Sequence, residues 1–166
     1  MTPAQTLLWL ALASPAPEIH GVPGLSISYQ PVVDYWADQN LVPRFFARAL
    51  VREESGNRPG SKSREWKKDR HGVWYPGKVL ARGLTQISVQ YQDVHVRAAG
   101  MSVKAFRWWN PGDSCRVGFH LLRWLLDRYH GDQLLAIAAF NCGYPRLESA
   151  LPLPLETVKH LGKVFG

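Results

Sequence analysis

The apolar positions of this chain recur mostly at helical intervals, and polar or Pro/Gly breaks cut them into segments. After Pro31, the residues Val32, Val33, Tyr35 and Trp36 form one apolar face, and Asn40 stops the run. Pro43 fits the first turn of the next helix, where its missing N–H costs nothing. In that helix Phe46, Ala49, Leu50 and Glu53 share one stripe, while Ala47, Leu50, Val51 and Glu54 share its neighbour. Gly56-Asn57-Arg58-Pro59 ends it. Ser61 to Arg70 is basic and polar. Val73-Trp74-Tyr75 and Lys78-Val79-Leu80 predict a small β-hairpin turning at Pro76-Gly77. Ser88 predicts the cap of a helix reaching Ala99, and Asn110-Pro111 opens a long one with the stripe Val117, Leu121, Trp124, Leu125 and Arg128. Asp132 caps Gln133 to Cys142, which is apolar almost all round and therefore predicts a buried central helix. A last helix, Leu155 to Val164, follows Pro154.

The fold expected is mainly α, a helical bundle around that central helix with one small β-hairpin. Residues 30–166 form the domain. Residues 1–29 precede it as an apolar helix, Thr6 to Ala13, and a Pro/Gly-rich arm, Pro15 to Gly24. The apolar helix lacks the basic residues that introduce an export signal, so it is read as a segment that docks on the domain or on a partner.

Composition narrows the partners. At 166 residues and 46% hydrophobic the chain suits one domain with its own core, and no apolar run spans a bilayer. A net charge of +7 favours a polyanionic partner: nucleic acid, anionic lipid or bacterial envelope. The basic residues are spread along the chain rather than gathered on one helix face, which weighs against nucleic acid. Cys115 and Cys142 form no metal-ligand spacing with the six histidines, so neither a metal nor another cofactor is expected. One disulfide or two free thiols both remain open.

The chemistry centres on Glu54-Ser55. A glutamate in the last turn of a helix sits at the negative end of the peptide dipole, and apolar neighbours that strip its water raise its pKa further. Such a carboxyl keeps a proton near neutral pH, as a general acid for glycosidic cleavage requires. Position alone does not separate Glu53 from Glu54. No second acid is equally marked: Asp69, Asp93 and Asp113 read as a loop, an exposed helix face and a helix N-terminus.

Glu54-Ser55, Pro59 and Ser63, Gly83-Leu84-Thr85-Gln86, Ala139-Phe140-Asn141-Cys142-Gly143 and Leu155-Glu156-Thr157 occur in this order. The series resembles that of the soluble lytic transglycosylases, relatives of goose-type lysozyme, over nearly all of 30–165. The family pattern is Glu-Ser, a Ser nine places on, Gly-Leu-Met-Gln, Tyr-Asn-Ala-Gly and a late Glu-Thr. The resemblance implies a lysozyme-like fold acting on peptidoglycan at the bacterial cell wall, with Glu54 as the catalytic acid and Glu53 as its flank. It implies that Ser63 hydrogen-bonds near that carboxyl, that Gln86 and the Gly83-Leu84 backbone form the strip holding the saccharide, and that Thr85, standing for the family's Met, removes an apolar surface under a sugar ring. Phe140, Asn141 and Glu156 would lie at the cleft, although helix ties serve equally well for Asn141 and Glu156. In the family one carboxyl protonates the oxygen between N-acetylmuramic acid and N-acetylglucosamine, then takes the C6 hydroxyl proton, closing a 1,6-anhydro ring.

Three departures mark this chain: Phe140 for Tyr, Thr85 for Met and Cys142 for Ala. Tyr144 and Tyr75 are candidates for the lost hydroxyl. The longer stretch from Ser63 to Gly83 carries Trp66, Trp74 and Tyr75, which either extend the cleft or pack the hairpin, packing being preferred for Trp74. Trp108-Trp109 reads as a core anchor. A lysozyme-type hydrolase and a non-catalytic peptidoglycan-binding module are the alternatives. Without an export signal, a bacteriophage setting is expected, with the chain carried in the virion or released at lysis; an atypical exported bacterial enzyme and a secretion-system component that opens the wall locally are the alternatives. Phage or envelope proteins would then be partners through the N-terminal segment.

Overall fold

A computed structural model of the chain describes residues 28–149 and 152–166. The apolar segment 6–13 and the arm 15–24 lie outside the described residues. The first described helix, α1 (Gln30–Gln39), buries Val32, Val33 and Ala37, and Asn40 closes it by donating from Nδ2 to the Trp36 carbonyl at 2.8 Å. Helix α2 (Arg44–Ser55) starts after Pro43 and buries Phe46, Ala47, Leu50, Val51 and Ser55. Gly56 ends it at φ 60°, a left-handed conformation that glycine adopts without a Cβ clash.

A three-stranded antiparallel sheet follows in the order β1-β2-β3: β1 (Lys62–Lys68), β2 (Trp74–Arg82) and β3 (Ile87–Ser88). The hairpin exists, but its turn is Asp69–Val73, not Pro76-Gly77. Asp69 Oδ1 accepts from the His71 and Val73 amides at 2.8 and 2.9 Å, and Gly72 supplies the positive φ of 82°. Pro76 lies within β2 opposite Trp66. Its missing N–H is tolerated there because β3 pairs with β2 only at Ala81 and Arg82. Ser88 belongs to β3, so the next helix, α3 (Gln92–Ala98), begins after Tyr91 instead.

Helix α4 (Pro111–Arg128) is capped by Asn110, whose Oδ1 accepts from the Asp113 amide at 3.1 Å. It packs against α1, α3 and the helix that follows, α5 (Gln133–Cys142), capped by Asp132. The centre of the bundle is therefore α4 rather than α5. In α5, Ala136 to Ala139 are buried, but Leu134 stands 55% exposed and Leu135 is also open. The inward residues of α4 are Cys115, Phe119, Leu122, Leu125 and Leu126, and Trp124 from the expected stripe faces out against Tyr144. A short α6 (Tyr144–Leu147) and then α7 (Leu155–Phe165), which packs on α2 and α5, complete the domain.

The main core joins α1, α2, α4, α5 and Val164 of α7, with Leu84 inserted from the loop between β2 and β3. A smaller cluster of Ile87, Val96, Ala99, Phe106 and Val117 fastens the sheet to α3 and α4. Trp108 packs on this cluster under Lys62 and Arg82, as a core anchor should; Trp109 is exposed. Cys115 and Cys142 are both free, and burial pushes both thiols up from their ordinary range. Among the described residues no helix is long and apolar enough to cross a membrane, and no His, Cys, Asp or Glu cluster has the makings of a metal site.

Candidate active site

Glu54 sits in the last turn of α2, one residue before the buried Ser55, whose hydroxyl donates to the Val51 carbonyl at 2.9 Å. The Glu54 side chain is only 12% exposed. Burial, and then the neighbouring charge of Glu53, push its pKa up to about 7. The helix C-terminus works in the same direction. Glu53 instead has a cation beside it, Arg52 Nε at 3.2 Å. The two adjacent glutamates thus occupy different environments, and Glu54 is placed to hold a proton near neutrality.

Facing Glu54 is His160, a residue the sequence reading passed over. Its Nε2 lies 3.4 Å from Glu54 Oε1, and its side chain is 11% exposed. That nitrogen is shut off from water and has no aligned hydrogen bond, so the Glu54 carboxyl is the group it faces. Burial lowers the His160 pKa, with Glu53 opposing the shift and Lys163 adding to it, so the ring favours its neutral form. The signal was present in the sequence: Thr157, His160, Leu161 and Val164 make the i, i+3, i+4, i+7 stripe of an amphipathic helix. Thr157 and Val164 are buried, which turns His160 inward.

Thr157 fixes that rotation. Fully buried, it donates from Oγ1 to Asn141 Oδ1 at 2.8 Å, tying the first turn of α7 to the end of α5. Asn141 is exposed, not enclosed in a central helix, and its oxygen is committed to this tie. Glu156, one residue earlier, is exposed in the first turn of α7, where its charge suits the dipole. Phe140 is half-buried against the main core. Tyr144 rests on Trp124 with the Arg128 guanidinium above it, and Tyr75 stands out on β2, so neither is brought to Glu54.

The strip at 83–86 connects to the end of α2 through a relay of backbone and amide bonds. The Ser55 carbonyl accepts from Arg58, the Arg58 carbonyl from Ser61 N at 3.0 Å, and the Ser61 carbonyl from Gly83 N at 3.0 Å. Gln86 completes it. Its Nε2 donates to the Ser61 and Gly83 carbonyls at 3.3 and 2.9 Å, and its Oε1 accepts from Ser63 N at 3.1 Å. The Gln86 amide is therefore spent on holding β1 beside the 83–86 turn. Ser63 is exposed at this lip and makes no hydrogen bond to Glu54.

Along the expected saccharide strip the side chains of Leu84 and Thr85 point inward. Leu84 is buried in the main core, and Thr85 is buried with its Oγ1 donating to the Ser114 carbonyl at 2.8 Å. Gly83 is required by close approach, since a Cβ there would lie 2.6 Å from Ser114 Oγ and from the Trp108 carbonyl. The Met-to-Thr departure is thus a packing choice against α4, not a change under a sugar ring. The three aspartates weighed as a second acid are engaged elsewhere: Asp69 holds the hairpin turn, Asp93 pairs loosely with Arg97 on α3, and Asp113 accepts from the Arg107 amide. A cavity lined by Trp36, Gln39, Asn40, Arg116 and His120 contains none of these site residues.

The family model of the transglycosylase SLT domain matches residues 31–153, well over half of the chain. Among solved structures the chain resembles an inactive mutant of the lytic transglycosylase Slt from Pseudomonas aeruginosa. The TM-score is 0.63 at 18% identity, covering 82% of this chain and 22% of that one. It resembles equally the 70 kDa soluble lytic transglycosylase of Escherichia coli, with TM-score 0.63, 18% identity, and coverage of 82% and 23%. At that identity the likeness is one of fold, and this chain spans less than a quarter of either protein. No curated protein matches it.

Proposed function

Because the chain belongs to the transglycosylase SLT domain family, we propose that it cleaves peptidoglycan as a lytic transglycosylase, with Glu54 as its only acid and base. The observation that carries this reading is the Glu54 carboxyl, buried at a helix end and facing His160, where burial pushes its pKa up to about 7. The acid gives its proton to the oxygen bridging N-acetylmuramic acid and N-acetylglucosamine as the C1–O bond breaks, and the bonding electron pair leaves with that oxygen. The resulting carboxylate takes the proton of the C6 hydroxyl while the C6 oxygen closes on C1, giving a 1,6-anhydro end. The substrate's acetamido group steadies the positive charge at C1. An ordinary glycosidase needs a second carboxylate as nucleophile or water activator. Asp69, Asp93 and Asp113 are engaged elsewhere, so the one-carboxyl route suits this site.

His160 acts on Glu54 as a positioning residue. When its Nε2, 3.4 Å from Oε1 and unbonded in the free protein, carries the N–H and closes on Oε1, it leaves Oε2 to carry the proton toward substrate. The same N–H then supports the carboxylate while it serves as base. It stands in this way for the hydroxyl that Phe140 lacks. Ser63 and the backbone of 83–86 form the lip over which the glycan passes.

The test is clearing of purified sacculi by the parent chain and by Glu54→Gln. The parent clears and the variant does not. Clearing by the variant at the parent rate contradicts the assignment, and a parent that binds without releasing fragments makes the chain a binding module. The phage setting rests on the apolar N-terminal segment of the sequence alone, and probing purified particles for this chain checks it.

A further inference from the structure

The outer half of the β1–β2 ribbon takes no part in the site above. Every residue from Trp66 to Pro76 is exposed. Trp66 is 64% and Trp74 61% open to solvent, so the packing role expected for Trp74 is not what the structure shows. Lys68 pairs with Trp74 and Trp66 with Pro76, which puts these four side chains on one face. Lys68 Nζ stands 5.6 Å from the Trp74 ring centroid. Lys67 and Tyr75, also paired, share the opposite face. Between Lys62 and Arg82 there are seven lysines and arginines and two acids, a surplus of five out of the chain's net seven. This surplus lies in one contiguous stretch of the sequence, and the ribbon built from that stretch carries it.

Lysines on a sheet edge commonly guard against pairing with another sheet. That role does not account for two tryptophans left in water beside them. Contiguous exposed apolar surface of this kind marks contact with a partner. The partner must offer flat apolar faces and negative charge together. The ribbon's base shows where such a partner comes from: Ser63, at the start of β1, is bonded through Gln86 to the turn beside the end of α2. The ribbon rises from the lip of the candidate cleft. A glycan with acidic peptide stems has pyranose rings with apolar faces and carboxylates at each repeat, and it is long enough to leave the cleft along the ribbon.

We propose that the outer β1–β2 ribbon is a second contact surface for the acidic, peptide-bearing glycan strand, with Trp66 and Trp74 stacked on sugar rings and Lys68 and Arg70 facing stem carboxylates. This rests on the peptidoglycan reading given above. Duplex DNA and anionic membranes present phosphates instead, and neither has a reason to be continuous with the cleft lip.

The test measures equilibrium binding of the full chain carrying Glu54→Gln to purified sacculi, in parallel with Trp66→Ala/Trp74→Ala and Lys68→Glu/Arg70→Glu added to it. Thermal melts establish that each variant is folded, and the same proteins are titrated with anionic phospholipid vesicles and with duplex DNA. Each double variant weakens sacculus binding by about tenfold, and high salt removes most of the difference between the charge-reversed variant and its parent. Sacculus binding within about twofold of the parent in both variants overturns the proposal. Loss of vesicle or DNA binding with sacculus binding intact also overturns it and assigns the ribbon to phosphates. Cleavage by the Glu54 chain is scored separately. Cleavage with ribbon-independent binding sinks the ribbon alone, whereas neither cleavage nor binding sinks the functional reading and the ribbon with it.

Discussion

His160 Nε2 lies 3.4 Å from Glu54 Oε1, with both side chains almost closed off from water. The two come from helices about a hundred residues apart in sequence, and each faces the other because a separate anchor turns its helix. Ser55 and the buried stripe orient α2; Thr157 and Val164 orient α7.

Replacing His160 with Phe removes the donor toward Oε1 while keeping a buried ring. The carboxylate loses its support, so the Glu54 pKa rises above about 7. The alkaline limb of the pH–activity profile moves up with it, and kcat falls by about tenfold with KM little changed. Replacement with Gln keeps an N–H donor and restores both. A carbon-13 titration of the Glu54 carboxyl reads the pKa directly. Identical titrations in the parent and the Phe variant contradict the positioning role.

Stability carries the same signature. The folded Glu54 pKa is raised from 4.5 to about 7. Its contribution is therefore fully present below about pH 4.5 and is lost as pH rises through 7, costing ~3 kcal/mol in all. Glu54→Gln escapes that loss. Its advantage over the parent grows from near zero below pH 4.5 to ~3 kcal/mol above pH 7 in denaturant unfolding. Burial of neutral His160 costs stability on acidification in both proteins, and Glu53 and Lys163 are likewise common to both, so the difference isolates Glu54. A difference that does not vary with pH contradicts the burial argument.

Thr157→Val keeps the volume and removes the hydroxyl that bonds Asn141 Oδ1. It costs ~1 kcal/mol of stability, and because α7 carries His160, activity falls more than the stability loss explains. Denaturation midpoints and sacculus clearing measured together check this.

Gly118 meets Thr85 where α4 supports the site: a Cβ at 118 would lie 2.3 Å from Thr85 Oγ1 and 2.4 Å from its Cβ. Gly118→Ala therefore destabilises the fold by about 3 kcal/mol, read as a lowered melting temperature. A melt unchanged from the parent contradicts the packing described for Thr85.

Much of the helical framework was legible because its punctuation is local: Asn40, Pro43, Asn110-Pro111 and Asp132 each mark a boundary by what they do to their own backbone. The failures are those where local and tertiary signals compete. Pro76-Gly77 reads as a turn, yet Asp69 satisfies two amides and Gly72 takes the positive φ, so the strands extend past the proline. An all-apolar helix reads as central, yet α4 is longer and α5 leaves two leucines outside. The motif order, not position, singles out Glu54 over Glu53, and its burial at the end of α2 agrees with the raised pKa expected of that position. Thr85 was misread because a motif position does not say which way a side chain points, and His160 is legible only through the helical stripe that it shares with Thr157, Leu161 and Val164.

The central claim is that one carboxyl cuts the glycan without water entering the product. The mass of the soluble muropeptides released from sacculi tests it most directly. The account predicts that the parent chain yields ends lighter by one water than reducing N-acetylmuramic acid, with no oxygen-18 taken up from labelled solvent, and that Glu54→Gln releases none. Reducing ends carrying solvent oxygen, or unchanged release by Glu54→Gln, would contradict it.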